Sequence, residues 1–122
     1  IGTIKGIEFG EGFNAITMTG SNHNDQFRAS SDGLSLLSNN AGGVLGGITT
    51  GATVVCRLAV KPPSSISLDQ STVTNSGKDT TVSVKGRHDP CICPRVIPVV
   101  EAMAAIVILD SLLIQQSINP SI

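Results

Sequence analysis

Residues 86–103 read GRHDPCICPRVIPVVEAM. Arg87, His88 and Asp89 stand in a row before Pro90 and Cys91, and a very apolar segment follows. Pro94 suits the first turn of a helix, where its missing N–H would be unpaired anyway, so a helix is predicted over 94–116. Pro98 falls near that turn and predicts a local irregularity. Apolar residues from Val96 to Leu113 wrap most of the circumference, the pattern of a helix buried on several sides. Three ionisable side chains at the mouth of a buried helix are costly unless a ligand or a reaction uses them.

Upstream, the pattern is that of strands. Residues 1–9 alternate, and Gly10-Glu11-Gly12 turns the chain toward a second strand over 14–18. Residues 19–40 are rich in Ser, Asn and Asp and read as a polar excursion or loop. A glycine segment over 42–51 leads into a strand over 52–60, which Lys61-Pro62-Pro63-Ser64-Ser65 stops. A strand pair is predicted at 66–68 and 80–85, joined by a polar turn over 74–79. Antiparallel sheets packed on a buried long helix give an α+β fold.

Composition narrows the class. The 122 residues are 40% hydrophobic and 14% charged, which excludes a disordered tail. With three Phe and neither Trp nor Tyr, the core is small and aliphatic, and the apolar excess implies faces covered by further chain or further subunits. A net charge of −1 without basic runs gives nothing that tracks a nucleic-acid backbone. Three cysteines are an odd number, and Cys91 and Cys93 are too close for an ordinary disulfide, so a reduced intracellular protein is expected. Glu101 and Asp110 interrupt the apolar stretch, so no membrane span is expected. The chain opens on Ile1 inside a strand-like pattern, so a fragment is expected.

Three segments could carry chemistry. The glycines of 42–51 permit close ligand approach, but no helix follows as a dinucleotide or phosphate loop requires, and a tightly packed strand corner explains them equally well. Lys61 at a strand end, two stiffening prolines and the hydroxyls of Ser64 and Ser65 suit an anion or the edge of a reduced flavin, or else form a rigid turn with incidental polar groups. Arg87 offers a planar fork for phosphate or carboxylate and Asp89 could hold or relay a proton; without a ligand the trio reads as an ion pair closing a loop. His88, Cys91 and Cys93 cluster, but zinc wants four ligands and none completes the set, so no metal is expected. Glu101 needs a partner, Arg95 or a backbone donor, and reads as a structural anchor.

The block from Arg87 to Met103 resembles the C-terminal signature of the chorismate synthases, an Arg-His-Asp-Pro-Cys run followed by Glu101-Ala102-Met103. Lys5–Gly10 with Gly12-Phe13, Gly20-Ser21 with Asp25, Asn39–Gly43 with Gly46-Gly47-Ile48, and Lys61-Pro62 with Ser64-Ser65 are similar to further blocks of the family in the same order. Pro63 stands where a Thr is more usual, and Cys93 where the residue is commonly small. The resemblance implies an enzyme that converts 5-enolpyruvylshikimate 3-phosphate to chorismate and phosphate by a 1,4-elimination needing reduced FMN. It implies that Gly46, Lys61, Pro62, Pro63, Ser64, Ser65 and Arg87 line the FMN, with Gly2-Thr3 a further contact, and that Asp89 sits near flavin N5 and assists proton transfer. It also implies a β-α-β sandwich, a homotetramer, and a cytoplasmic or, in a photosynthetic eukaryote, plastid location. The family's catalytic histidines and substrate-phosphate arginines belong to an N-terminal part that these 122 residues do not contain. The chain is therefore expected to be the C-terminal portion and to have no lyase activity alone. Two readings from other classes stand beside this one: a non-catalytic flavin- or anion-binding module, and an assembly domain that oligomerises through its apolar faces.

Overall fold

The computed structural model describes residues 1–31 and 33–119; position 32, inside the expected 19–40 excursion, and residues 120–122 lie outside the described residues. The chain divides into two compact units, residues 2–60 and a second that runs from Lys61 and includes Ile1.

In the first unit, strand β1 (Ile4–Phe9) leads through Gly10 into a 3-10 turn over Gly12–Thr17. A strand was expected at 14–18. Local side-chain bonds win there: the Glu8 carboxylate accepts the Phe13 N–H at 3.0 Å, and Asn14 donates to Glu11 at 2.6 Å. The polar excursion is ordered where it is described. It holds the short helix α1 (Gly20–His23), then β2 (Phe27–Ser30) paired antiparallel with β3 (Gly33–Leu36).

Strands β4 (Val44–Leu45) and β5 (Ile48–Thr49) form a small hairpin, and β6 (Cys56–Val60) returns antiparallel to β1. The ladder runs from Ile4 opposite Val60 to Phe9 opposite Cys56, with a register shift between Ile4 and Gly6. The hairpin's two-residue turn, Gly46-Gly47, has φ of 57° and 80° and so takes the glycines that such turns require.

The centre of this unit is made of backbone. Gly10, Gly42 and Gly43 are buried, and the chain crosses itself there. Gly10 N–H donates to Val55 O at 3.0 Å, Glu11 N–H to Asn40 O at 2.8 Å, and Val55 N–H to Gly42 O at 3.1 Å. With φ of 55° at Gly10 and 68° at Gly42, and each Cα facing the other's backbone, no side chain fits either position.

The second unit holds β7 (Gln70–Val73) paired with β8 (Asp79–Val82), and then α2 (Cys93–Ile118). The first strand lies downstream of the expected 66–68, because Thr72 and Val73 face Thr80 and Asp79 across a turn closed by Thr74 N–H to Lys78 O at 2.8 Å. Helix α2 contains the expected 94–116 and carries Pro94 in its first turn and Pro98 inside it.

The α+β class holds, but among the described residues the helix is not buried. Val96 is its one buried residue among those described, while Ile106, Val107 and Ile108 are 61–68% exposed. Among the described residues the four sheets are separate two-stranded ribbons. The expectation that the helix falls short of a membrane span also needs correcting. Its 26 residues, with a mean hydropathy of 2.2 over the most apolar window, are long and apolar enough to cross by length and composition. Glu101 and Asp110 are too few to offset the surrounding Val, Ile and Leu.

Candidate functional site

The loop after β8 and the entry of α2 shape a recess of about 430 Å³, lined by Pro63, Ser65, Arg87, His88, Asp89, Ile92 and Arg95. Its walls follow from local chemistry. Pro62 and Pro63 stiffen the first wall. The His88 ring Nε2 lies 2.8 Å from Val84 O, which fixes the second wall as a closed loop. Ile92 begins the helix without a side-chain cap, and its carbonyl accepts the N–H groups of Arg95 at 2.9 Å and Val96 at 3.1 Å.

Asp89 is held by Arg95, Oδ2 to Nη1 at 2.8 Å. Sequence reasoning missed this pair and offered Arg95 to Glu101 instead. Glu101 is exposed and has no ion pair with a described residue. The available signal was position: Pro94 starts the helix, so Arg95 lies in its first turn and reaches back over the loop, whereas Glu101 points from almost two turns further on. Arg87 is exposed and makes no ion pair with any described residue, so its guanidinium fork is free for an anion.

Of the residues singled out from the sequence, Pro63, Ser65, Arg87 and Asp89 share this recess. Lys61, Pro62 and Ser64 are exposed on the segment that enters it. Gly46 lies in the other unit, at the tip of the β4–β5 hairpin, where a Cβ would meet open space. Cys91 and Cys93 are exposed on either side of Ile92, and no described group of three or more His, Cys, Asp and Glu is placed to hold a metal ion.

Two further features of residues 2–60 bear on function. Thr3 Oγ1 is a buried side-chain oxygen without a hydrogen-bond partner among the described residues, at the Gly2-Thr3 pair to which the resemblance pointed. Such a hydroxyl fits a polar ligand atom. Asp25 is the buried carboxylate: its Oδ1 accepts Ser38 Oγ–H at 2.6 Å and Asn40 N–H at 2.8 Å, and its Oδ2 accepts Ala41 N–H at 2.9 Å. Burial alone would raise its pKa, but the bonds from Ser38, Ala41 and Asn40 together hold the carboxyl below its usual range. Asp25 thereby fixes the entry to the glycine segment.

The family model for chorismate synthase matches residues 1–113. The chain is similar to the chorismate synthase of Roseiflexus castenholzii, 51% identical over 95% of this chain and 33% of that protein. It is also similar to that of Prochlorococcus marinus (strain MIT 9303), 51% identical over 92% of this chain and 31% of that protein. A solved structure titled "Crystal Structure of Chorismate Synthase" aligns with a TM-score of 0.47 and 46% identity, over 49% of this chain and 18% of that one. The chain thus spans about a third of the length of the curated relatives it matches. With the family model covering all but the last residues, and the Arg-His-Asp-Pro-Cys block shaping a recess at the helix entry, this chain belongs to the chorismate synthase family.

Proposed function

We propose that the protein converts 5-enolpyruvylshikimate 3-phosphate to chorismate and phosphate by a 1,4-elimination dependent on reduced FMN, with this chain as its C-terminal part. The observation that carries the reading is the recess in which Arg87 and Asp89 meet Pro63 and Ser65, in a chain of this family. The donor set fits the group: a free guanidinium and a hydroxyl suit an anionic flavin edge or phosphate. Reduced FMN, when bound, supplies electron density that helps phosphate to leave.

The chain's own residues then have distinct tasks. Lys61, Pro62, Pro63, Ser64 and Ser65 present a cation and two hydroxyls from a stiff turn and bind the flavin. Gly46, with no Cβ, lets the backbone come close to it. Arg87 holds negative charge, which it does with a fork of fixed geometry. Asp89, oriented by Arg95, assists transfer of the proton that the substrate ring loses.

The remaining polypeptide and the other copies of a homotetramer cover α2. A protein cover suits this helix better than lipid, because Glu101 and Asp110 are nine residues apart and so roughly 180° apart around the axis. A lipid-facing helix would then expose a carboxylate to hydrocarbon on one side or the other. Three exposed free thiols suit a reducing compartment, the cytoplasm or a plastid.

The test is turnover by the full-length protein with reduced FMN, excluding oxygen. Arg87→Ala should lower kcat/KM by roughly 100-fold, the scale of losing one positioned cationic donor. The 122-residue chain alone should form no chorismate. Turnover by the chain alone, or an unchanged Arg87→Ala enzyme, would overturn the assignment.

A further inference from the structure

Residues 84–91 carry Arg87 and Asp89 between β8 and α2, and they make no backbone–backbone hydrogen bond with any described residue. A loop without such bonds takes its shape from side chains and solvent. Three side-chain bonds supply it here. At the β8 end, Ser83 Oγ–H donates to Ser67 O at 3.1 Å. At the helix end, Asp89 Oδ2 meets Arg95 Nη1 at 2.8 Å. Between them, His88 Nε2 lies 2.8 Å from Val84 O.

The third bond has a fixed direction. A carbonyl oxygen only accepts, so His88 Nε2 carries the proton, in the neutral ring and in the imidazolium alike. That proton is committed to the loop's own backbone. Gly86 lets the chain turn back far enough for the bond to form, since its φ of 144° is a backbone that side chains rarely adopt. Residue 88 is thus tied back to residue 84, while residue 89 is tied forward to the helix. Arg87 makes no ion pair with any described residue, so the bond at His88 is the nearest restraint on its placement.

We propose that His88 is a positioning residue, whose Nε2–H bond to Val84 O sets Arg87 and, less strongly, Asp89 in the recess they line with it. This role rests on the reaction proposed above and assigns His88 no proton transfer through Nε2. Asp89 keeps a second restraint in Arg95, whereas Arg87 has none of its own. Loss of the bond should therefore weaken the hold on the anionic flavin more than it slows the proton step.

Two amides test this. The side-chain nitrogen of Gln can take the place of Nε2, whereas that of Asn falls near the place of Nδ1, too short to reach the Val84 carbonyl. In the full-length protein, His88→Asn should raise the concentration of reduced FMN giving half-maximal rate roughly 5-fold, the scale of one lost hydrogen bond. Its kcat should fall by less than about 2-fold, and His88→Gln should recover most of the flavin affinity. A ligand-free arm uses trypsin on the 122-residue chain, in which Arg87 is exposed. Cleavage after Arg87, followed by mass, should be roughly 5-fold faster in His88→Asn than in His88→Gln, two amides that offer trypsin similar residues beyond the scissile bond. The proposal fails if the two variants are cut at the same rate, if they need the same FMN concentration, or if Asn replaces His better than Gln does. No chorismate from the unaltered full-length protein would sink the proposed reaction instead, with the cleavage rates still deciding whether His88 holds the loop.

Discussion

The backbone crossing at Gly10 and Gly42 and the helix α2 are opposite solutions to burial. At the crossing, three segments bury glycines and satisfy their N–H and C=O groups on each other, with Asp25 bonding two further amides nearby. All of these bonds lie within residues 2–60. Helix α2 pairs the backbone groups of its interior within itself, though not those of its end turns, yet keeps Ile97, Met103, Ile106 and Ile108 at 47–68% exposure. Its interior is hydrogen-bonded while its apolar surface is largely exposed among the described residues. Local order and hydrophobic burial are thus separate matters in these two regions, and substitutions in them should answer differently.

The largest effect is expected at Gly42. Alanine there would need φ near +68° and would drive its Cβ into the backbone of Gly10. The left-handed backbone alone costs about 1–2 kcal/mol, and the clash has no flexible side chain to absorb it. Gly42→Ala should therefore destabilise residues 2–60 by about 4 kcal/mol or more, on the scale of the most severe single substitutions. Gly46→Ala provides the contrast. Its φ is +57°, but a Cβ there meets nothing, so only the backbone cost of about 1 kcal/mol should appear. Denaturant unfolding of the two variants separates the terms; equal losses would mean that the crossing is not close-packed.

Asp25→Ala should come next, at about 3 kcal/mol, because it leaves the Asn40 and Ala41 N–H groups and the Ser38 hydroxyl without their acceptor. The same site sets the acid limit of this region. The folded-state pKa of Asp25 lies below its usual value, as does that of Glu8, held down first by the Phe13 N–H and then by Arg57. Groups of this kind contribute stability that is present above their unfolded pKa and is lost as pH falls through the folded one. The melting temperature should thus hold steady above about pH 5 and fall steadily as the pH drops below about 4. In Asp25→Asn the slope should be shallower, since one titrating carboxylate is gone and the amide has a single accepting oxygen where the carboxylate has two. An unchanged slope would show that Asp25 is not the group that titrates.

Much of this contrast was legible in the sequence, and the illegible part has a physical cause. Pro94 and the apolar run announced α2, alternation announced β1, and the Lys-Pro-Pro-Ser-Ser segment marked where β6 ends. The Arg-His-Asp block stood out as a candidate site, and its three residues do line one recess. The Asp89–Arg95 pair was not legible, because periodicity carries no side-chain direction and Glu101 competed for the same arginine. Nor was the role of Asp25, whose partners are backbone amides 15 and 16 residues away and leave no trace in composition. The 3-10 turn at Gly12–Thr17 escaped for the same reason: the Glu8 carboxylate that bonds it lies in the preceding strand. The burial of α2 misread in the other direction. An all-round apolar pattern states that cover exists, but it does not say whether this chain provides it.

The smallest effect is expected on α2, and it tests that last point. Ile108 is 68% exposed, so in the isolated chain Ile108→Ala removes little buried surface. Alanine is also the better helix former, which offsets part of what is lost. The change in unfolding free energy should then stay within about 0.5 kcal/mol, as for an ordinary surface site. The same substitution in the full-length protein should cost about 2–5 kcal/mol if other polypeptide closes over the helix, since a buried Ile truncated to Ala leaves a cavity. Measuring both separates cover from propensity. A large loss in the isolated chain would mean that α2 is already buried among copies of itself, and a small loss in both would mean that this face of the helix stays open to water.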